Sequence, residues 1–246
     1  MKSANFTIDD LENHEKEDNY TFYASHLGKE ILNHHNYPPD IREYLKCEHQ
    51  TIHKLLSQNN GEQYDALLEI GCANARNLEL ASTLNLNYFG IDFIEKEIRL
   101  AEQKIKEQNV TAVVKCMSFM HLTQKNTPVP LHARTICLLP FNLLGNIFDP
   151  VKAFKIMRNL GYDMLVSTYR DDVLTDSITQ YYHTCGLLNV QRTELRNGIL
   201  FTSLNGFHSI IYKSHYLKRI AAILNFNLSI TDFSNIGKLY YFTKLQ

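Results

Sequence analysis

ALLEIGCANARN at residues 66–77 and YFGID at residues 88–92 are the two stretches that decide the fold. Their pattern predicts a short apolar strand, a tight turn of small residues, a helix, and a second strand that ends in the carboxylate of Asp92. Small residues in such a turn let a ligand approach the backbone closely. An acid at the tip of the next strand can accept hydrogen bonds from two ribose hydroxyls. These residues therefore predict a βαβ unit that cradles a nucleotide.

Two features separate this unit from a dinucleotide site. The dinucleotide fingerprint G-x-G-x-x-G ends on a glycine that allows close helix–strand packing, and Arg76 occupies that position here. Glu69, two residues before Gly71, is not part of that fingerprint either. Gly71 and Ala73 taken alone are equally well explained as a packing device. The prediction therefore rests on their combination with Glu69 and Asp92.

The pattern E-x-G-x-(G/A)-x-(G/A), with an acid about twenty residues on, resembles motif I and the following acidic strand of class I, Rossmann-like S-adenosylmethionine (SAM)-dependent methyltransferases of the small-molecule type. The sequence has Ala73 and Ala75 where that family usually has glycine. An alanine with a positive φ costs roughly 1–2 kcal/mol. We therefore expect a turn that is less strained than the glycine version, or weaker SAM binding.

The resemblance implies SAM as the cofactor and a set of residues that form its site: Glu69, Gly71, Ala73, Asn74, Asp92, Phe93, Met117, Ser118, Phe119, Leu139 and Asn142. Ser118 stands where the family often has an acid that contacts the adenine amine. Met117 and Phe119 either sandwich the adenine ring or fill the core. Asn142, at the exit of the fourth strand, either bonds the substrate or caps the following helix.

Methyl transfer from SAM needs chiefly that donor and acceptor be held in line, because the methyl group is already activated. No metal is required, and none is expected. His208 is the candidate general base, since a neutral imidazole can remove a proton from the acceptor; a structural histidine is the alternative. Tyr23, on the N-terminal helix, resembles aromatic positions that cap the SAM pocket in small-molecule relatives. Tyr23 is the next candidate catalytic residue, together with His183.

The rest of the chain alternates predicted strands and helices. Strands are predicted at residues 64–70, 87–91, 111–115, 135–139 and 164–168, and this alternation implies a mostly parallel sheet covered on both faces. Asn197-Gly198 lies between two strand-like runs and predicts a hairpin, which further strands follow at residues 208–212, 227–231 and 239–243. We therefore predict an α/β fold: a seven-stranded, mostly parallel, doubly wound sheet with an N-terminal helical cap and an inserted β-hairpin lid. The resemblance to the methyltransferases implies that the last strand of the sheet is antiparallel.

The predicted division of the chain places the helical cap at residues 1–60. The methyltransferase domain takes residues 61–246, with the lid insertion at about 170–212. Within the cap we expect a loose polar start, a helix at 20–33, and a second helix that begins with a capping box at residues 40–43 and ends at residues 59–61. Ser214 is expected to cap the helix that follows the lid.

The charge composition of the chain limits the classes of substrate and partner that we expect. The chain has 25 Lys and Arg against 26 Asp and Glu, a net charge of −1, so it has no basic excess to track a phosphate backbone. It also lacks the Asn/Asp-Pro-Pro-Tyr/Phe sequence of enzymes that methylate base amino groups. We therefore predict methyl transfer to a nitrogen or oxygen of a small soluble metabolite, with no nucleic-acid partner. Alternatives are a protein or RNA methyltransferase, or a catalytically silent SAM-fold binding module, which Ala73, Ala75 and Ser118 favour.

The cysteine pattern and the hydropathy of the chain indicate the cellular compartment in which we expect the protein. Five scattered cysteines without a C-x-x-C pair fit a reducing cytoplasm. Residues 1–5 are polar, which is unlike a signal peptide, and no apolar run approaches the length of a membrane span. We expect a cytoplasmic protein with no membrane partner. The lid is also a candidate surface for a homodimer.

Overall fold

The structure, a computed structural model, describes residues 19–58, 64–147, 149–173 and 176–245. Residues 1–18, which include the predicted loose start of the chain, lie outside these ranges. The predicted helix end at residues 59–61 also lies outside them. The division into residues 1–60 and 61–246 stays a prediction.

A seven-stranded sheet forms the centre of the protein. Its strands are β1 (Ala66–Ile70), β2 (Asn87–Asp92), β3 (Ala112–Cys116), β4 (Thr135–Leu139), β5 (Asp163–Tyr169), β9 (Phe226–Phe233) and β10 (Gly237–Lys244). They lie in the order β3-β2-β1-β4-β5-β10-β9, and β10 runs antiparallel to both of its neighbours. The predicted α/β class, the seven strands and the antiparallel last strand are confirmed. Strand order reverses between β1 and β4, where open α/β sheets bind ligands at their carboxyl edge.

Helices cover both faces of this sheet. They are α1 (Asn19–Ala24), α2 (His26–Leu32), α3 (Pro39–Gln58), α4 (Leu78–Thr83), α5 (Glu95–Gln108), α6 (Pro150–Leu160), α7 (Asp176–Thr184) and α8 (Ser214–Ile223). In β1 the side chain of Leu67 packs with α3 and α4, and the next residue, Leu68, packs with α6 and α8 on the opposite face. This alternation is why β1 reads as a continuous apolar run. In the parts of the chain that the structure describes, no helix is long and apolar enough to cross a membrane.

A separate antiparallel sheet forms the lid. It consists of β6 (Gln191–Glu194), β7 (Gly198–Thr202) and β8 (His208–Tyr212) in that order, so the predicted hairpin is extended by a third strand. Neither Asn197 nor Gly198 has a positive φ. The glycine is therefore needed for packing rather than for a left-handed turn. A Cβ on Gly198 would lie 2.6 Å from Ile210 Cγ2 and 2.7 Å from the Ile211 carbonyl oxygen. Close approach of β8 therefore requires glycine here.

The predicted helix at residues 20–33 is broken at Ser25. The Ser25 hydroxyl accepts a hydrogen bond from the Gly28 N–H at 3.4 Å and so begins α2. A Cβ on Gly28 would lie 2.4 Å from the backbone of Tyr23. Because only glycine permits this approach, α1 and α2 meet in a sharp bend, and Tyr20 and Tyr23 of α1 face the carboxyl edge of the sheet.

Two predicted helix caps are wrong. Helix α3 begins one residue before the predicted capping box, because the Pro38 carbonyl accepts from the N–H groups of Ile41 and Arg42 at 3.1 and 3.0 Å. Asp40 then lies in the first turn, where its carboxylate accepts a hydrogen bond from Ser177. Ser214 is the first residue of α8 rather than its cap. A tertiary contact takes its hydroxyl, which donates to Asp171 at 2.9 Å.

Candidate functional site

A cavity of about 780 Å³ lies at the carboxyl edge of the sheet. The turn after β1, the ends of β2, β4 and β5, helix α1 and the lid all contribute to its wall. Ten of the predicted site residues line it: Tyr23, Gly71, Ala73, Asn74, Asp92, Phe93, Met117, Ser118, Phe119 and Asn142. Glu69, Leu139 and His208 are not part of this wall.

The turn after β1 keeps a left-handed backbone without its glycines. Gly71 has a φ of +61°, and Ala73 and Ala75 have φ values of 45° and 58°. The expectation of a less strained turn is therefore wrong: each alanine adopts the conformation that costs roughly 1–2 kcal/mol. The Ala73 N–H donates to Asp92 Oδ2 at 3.0 Å, which fixes the strained backbone against the tip of β2.

Asp92 presents a buried carboxylate to the cavity. Its exposed fraction is 9%, and it accepts from the N–H groups of Ala73 at 3.0 Å and Ile94 at 2.8 Å. Burial raises the pKa of Asp92, and the backbone N–H groups of Ile94, Ala73 and Phe93 work against that rise. Each carboxylate oxygen accepts one backbone N–H and retains a further lone pair. The group can therefore accept two hydroxyl hydrogens from a ligand.

Glu69 does not contact the cavity and is fully buried. Its oxygens accept from the Asn77 N–H at 3.1 Å, from Asn77 Nδ2 at 2.6 Å and from the Tyr88 hydroxyl at 2.6 Å. These bonds fasten the start of α4 to β1 and β2. The assignment of Glu69 to the residues that contact the cofactor is therefore corrected: Glu69 does not line the cavity and shapes the turn from behind. Leu139 is also buried behind the wall, at 2% exposure.

His208 lies on the wrong face of β8 for a catalytic base. Side chains alternate along a strand, and Phe207 and Ser209 are the two residues of this segment that line the cavity. The same alternation turns His208 away, which corrects its assignment. His183 is exposed and does not line the cavity either.

Tyr23 lines the cavity as a hydrogen-bonding group rather than a base. Burial raises the pKa of its phenol well above the ordinary value, and a nearby Tyr182 raises it further. The neighbouring Asn146 side chain works against the rise in this pKa. Because the phenol keeps its proton at neutral pH, Tyr23 can donate a hydrogen bond but cannot remove a proton.

Aromatic rings mark one end of the cavity. The ring of Tyr20 lies 5.6 Å from that of Phe93, centroid to centroid. The Ser118 hydroxyl accepts from the Met120 N–H at 3.3 Å and begins a short 3-10 turn. Phe119 is 7% exposed, so it belongs to the core while its edge lines the cavity. Both readings of Phe119, core filling and ring contact, are compatible with this position.

An ion pair between Glu48 and Arg76, which the sequence did not predict, lies beside the part of the cavity wall that Phe141 forms. Glu48 of α3 is 3% exposed and lies 3.1 Å from Arg76 Nη2. Burial alone would lower the pKa of Arg76, but the negative charges of Glu48 and Glu69 outweigh burial and raise it. The guanidinium lies over the ring of Phe141 at 5.4 Å and lines the cavity. One signal was available: Glu48 occupies the buried face of α3, four residues after Tyr44.

Asn142 is held rigidly at the exit of β4. Phe141 and Asn142 both have left-handed φ values, 49° and 55°. The Asn142 side chain does not cap the following 3-10 turn at residues 143–146, so the capping alternative is wrong. Its Nδ2 instead donates across to the lid, to Ser209 Oγ at 3.0 Å and the Ile210 carbonyl at 3.4 Å.

Comparisons with known proteins give the fold alone. No family model matches the chain, and no curated protein matches it. Among solved structures it resembles a magnesium protoporphyrin IX methyltransferase from Synechocystis PCC 6803 with bound S-adenosylhomocysteine (SAH), with a TM-score of 0.60 and 14% identity over 96% of this chain and 100% of that one.

Two further solved structures are similar. A 1,6-didemethyltoxoflavin-N1-methyltransferase from Burkholderia thailandensis, with its substrate and SAH bound, has a TM-score of 0.60 and 9% identity over 100% of this chain and 94% of that one. A SAM-dependent methyltransferase from Clostridium acetobutylicum has a TM-score of 0.57 and 14% identity over 82% of this chain and 92% of that one. The chain has the α/β fold of these methyltransferases.

Proposed function

We propose that the protein binds SAM and transfers its methyl group to a nitrogen or oxygen atom of a small molecule. The observation that carries the proposal is the buried Asp92 carboxylate. It faces the cavity at the tip of β2, beside the left-handed turn of β1, and has room for two more hydrogen bonds. Cytoplasmic localisation and a homodimer stay predictions from the sequence.

The residues of the cavity fit a nucleoside cofactor. Asp92 suits a ribose with two hydroxyls, and the rings of Tyr20 and Phe93 suit a base beside it. The turn at residues 71–75 brings backbone close to the cavity floor, which leaves space for the amino-acid part of SAM. At about 780 Å³ the cavity is within the range of about 300–1,000 Å³ that is typical of ligand sites.

When bound, SAM supplies an activated methyl group: its S–CH₃ bond breaks with the electron pair on sulfur, the lone pair of the acceptor forms the new bond, and the proton of the acceptor passes to solvent. The protein's own contribution is to hold and orient. Positioning of this kind supplies roughly 7–11 kcal/mol of barrier reduction. Residues of α1 and of the lid form part of the cavity wall.

A small acceptor is favoured by the cavity volume of about 780 Å³ and by the net charge of −1. Two of the similar structures carry names of small acceptors, magnesium protoporphyrin IX and 1,6-didemethyltoxoflavin. A third is a plantazolicin methyltransferase in complex with a substrate analogue and SAH. These names belong to proteins of low identity and support the class of acceptor only by analogy.

The test is calorimetric titration with SAH, the demethylated product of SAM. We expect binding by the wild-type protein. Asp92→Ala should weaken it by roughly 10–150-fold for each hydroxyl bond lost, which corresponds to about 1.5–3 kcal/mol per bond to a charged group. Asp232→Ala is the matched control, since Asp232 is half exposed on β9 and does not line the cavity. No binding of SAH at millimolar concentration would end the proposal.

Transfer itself is tested with labelled SAM and fractionated cell extract. We expect label in the low-mass fraction. Label confined to protein or RNA would instead support the macromolecular alternative. Binding of SAH without transfer to any fraction would support a silent binding module.

A further inference from the structure

Arg76 places a positive charge inside the cavity. It follows the left-handed turn after β1 and lines the cavity wall, where 34% of its side chain is exposed. Three lysines of α2, α5 and α6 also line the wall, and all three are exposed residues: Lys29, Lys96 and Lys152. Among the described residues of the wall, Arg76 is therefore the least exposed basic side chain.

The guanidinium of Arg76 has hydrogen-bond donors that the protein does not use. A guanidinium carries five N–H groups in one plane. Nη2 of Arg76 donates to Glu48 Oε2 at 3.1 Å, and within the described ranges of the chain this is the one hydrogen bond that the guanidinium makes. The N–H groups of Nε and Nη1 therefore remain for a ligand.

Glu48 and Phe141 fix the orientation of this guanidinium. Glu48 does not line the cavity and holds Arg76 from behind. Its other oxygen accepts from the Phe141 N–H at 2.7 Å and from the Ser167 hydroxyl, so the carboxylate is itself held in place. The guanidinium lies over the Phe141 ring at 5.4 Å. Contacts with both an edge and a face set its plane before a ligand arrives, which lowers the cost of binding.

The carboxylates behind Arg76 leave it able to bind a second anion. The negative charges of Glu48 and Glu69 raise the pKa of Arg76, so it stays charged. Glu48 shares its own charge with the Phe141 N–H and the Ser167 hydroxyl. Burial raises the pKa of Glu69, which weakens the negative charge on that side. A single cation in such surroundings suits a monoanion better than a phosphate dianion.

The wall beside Arg76 is aromatic. The rings of Tyr37, Phe141 and Tyr181 line the cavity, and their centroids lie 5.6–5.9 Å from one another. Burial raises the pKa of Tyr37 to about 12 and that of Tyr181 well above its ordinary value, so both phenols are neutral. Contacts between an arginine and an anion are stronger in such low-dielectric surroundings than in water. A carboxylate also matches the planar fork of a guanidinium.

We propose that Arg76 binds a carboxylate group of a ligand in this cavity, through the N–H groups that Glu48 leaves free. Two ligands of the proposed function can supply that group: the amino-acid part of SAM, or a methyl acceptor that is a carboxylic acid. The recognition chemistry is the same for both, and the experiment has one arm for each. The inference rests on the proposed function and deepens the description of its site.

The first arm tests the carboxylate of the cofactor by calorimetry. SAH is compared with S-adenosyl-3-thiopropylamine, which is SAH without its carboxylate. If this carboxylate is the ligand, SAH should bind about 10–150-fold more tightly than the amine, as for a hydrogen bond to a charged group. Arg76→Gln should remove this preference by weakening SAH alone. A purely structural role of Arg76 would instead weaken both compounds together.

The second arm tests an acid acceptor by ligand-observed NMR. Benzoate is compared with benzamide, which has the same ring and no charge, in the presence and in the absence of saturating SAH. If an acceptor carboxylate is the ligand, benzoate should bind at least about tenfold more tightly than benzamide. Arg76→Gln should remove that preference and leave the ratio of SAH to S-adenosyl-3-thiopropylamine unchanged.

A second variant and a control make the result independent of folding. Arg76→Lys keeps a positive charge beside Glu48, so it decides the question if Arg76→Gln fails to fold. A point charge does not reproduce the fork, and we expect Arg76→Lys to lose at least about threefold of the carboxylate preference. Arg170→Gln and Arg170→Lys are the matched controls. Arg170 is 24% exposed, lies 2.9 Å from Asp172, and does not line the cavity, so both ratios should stay at their wild-type values.

The outcomes separate this inference from the proposed function. An Arg76-dependent carboxylate preference in either arm supports the inference and identifies the source of the carboxylate. If SAH binds and neither pair of compounds shows such a preference, the inference is overturned and the proposed function stands. A preference of equal size in wild type and in the Arg76 variants also overturns it. If SAH does not bind, the proposed function fails, and the benzoate pair without SAH decides the inference by the same criterion.

Discussion

The Glu48–Arg76 pair should be worth more than any ion pair on the surface of this protein. Glu48 accepts from Arg76 Nη2 at 3.1 Å, from the Phe141 N–H at 2.7 Å and from the Ser167 hydroxyl. The pair thereby ties helix α3 to the turn after β1 and to the exit of β4. The perturbation of choice is Glu48→Gln, which keeps the shape of the side chain and removes its charge.

The size of the effect follows from burial. The Glu48 side chain is 4% exposed and the Arg76 side chain 34%, so water replaces the lost carboxylate only in part. Glutamine still accepts from Phe141, and the Phe141 N–H has a second acceptor in Ser167 Oγ at 2.8 Å. The loss is then one charge-assisted hydrogen bond, about 1.5–3 kcal/mol of unfolding free energy. At about 2–4 °C per kcal/mol for a chain of this size, Tm should fall by roughly 3–12 °C.

The assay is urea unfolding followed by circular dichroism, with Glu95→Gln as the matched control. Glu95 and Arg99 form a shorter contact, 2.7 Å, but their side chains are 69% and 71% exposed. Surface pairs contribute little, so the control should unfold like the wild type within error. Equal unfolding free energies for the two variants would refute the argument that burial, rather than contact distance, sets the value of these pairs.

Two other predictions concern the turn and the tip of β2. Ala73→Gly should raise the unfolding free energy by about 0.5–1 kcal/mol, because relief of a left-handed alanine exceeds the entropy that glycine adds to the unfolded chain. Ala101→Gly inside α5 should lower it by more than about 1 kcal/mol in the same urea series, because the helix-propensity cost adds to the loss of a fully buried methyl group. SAH affinity should be full above the pKa of Asp92 and fall as the pH drops through it. Because burial raises that pKa, the fall should begin at a higher pH than for an ordinary aspartate. Calorimetry across pH checks this, and a flat profile would remove Asp92 from the site.

Local patterns were sufficient for the central sheet. Each parallel strand is a short apolar run bounded by polar turns, and neighbouring strands in sequence form the unit β1–α4–β2 without help from distant residues. For the same reason Gly71, Ala73 and Asp92 could be placed on the cavity from their spacing alone. Strain was not predictable, since Ala73 and Ala75 adopt a conformation that their own side chains disfavour.

Tertiary contacts determine the features of the structure that local sequence patterns did not predict. His208 was assigned by its position in the lid, and only the alternation of β8 shows that its neighbours face the cavity. Ser25 breaks a helix because Gly28 allows a close approach that no propensity predicts. Glu48 and Arg76 are 28 positions apart, and no local pattern in the sequence indicates that they form a pair.

The two halves of the cavity differ in how their residues are distributed along the chain. The half assigned to the cofactor comes from the turn after β1 and the tip of β2, which lie close together in sequence and so form a motif. The other half of the wall brings together residues 142, 182 and 209 from three separate segments, so no spacing in the sequence can reveal it. A fold that keeps the first half local and builds the second from insertions can change acceptors without losing its cofactor. That is why a resemblance at motif I names a cofactor, whereas the residues that would contact the acceptor come from separate segments and form no motif.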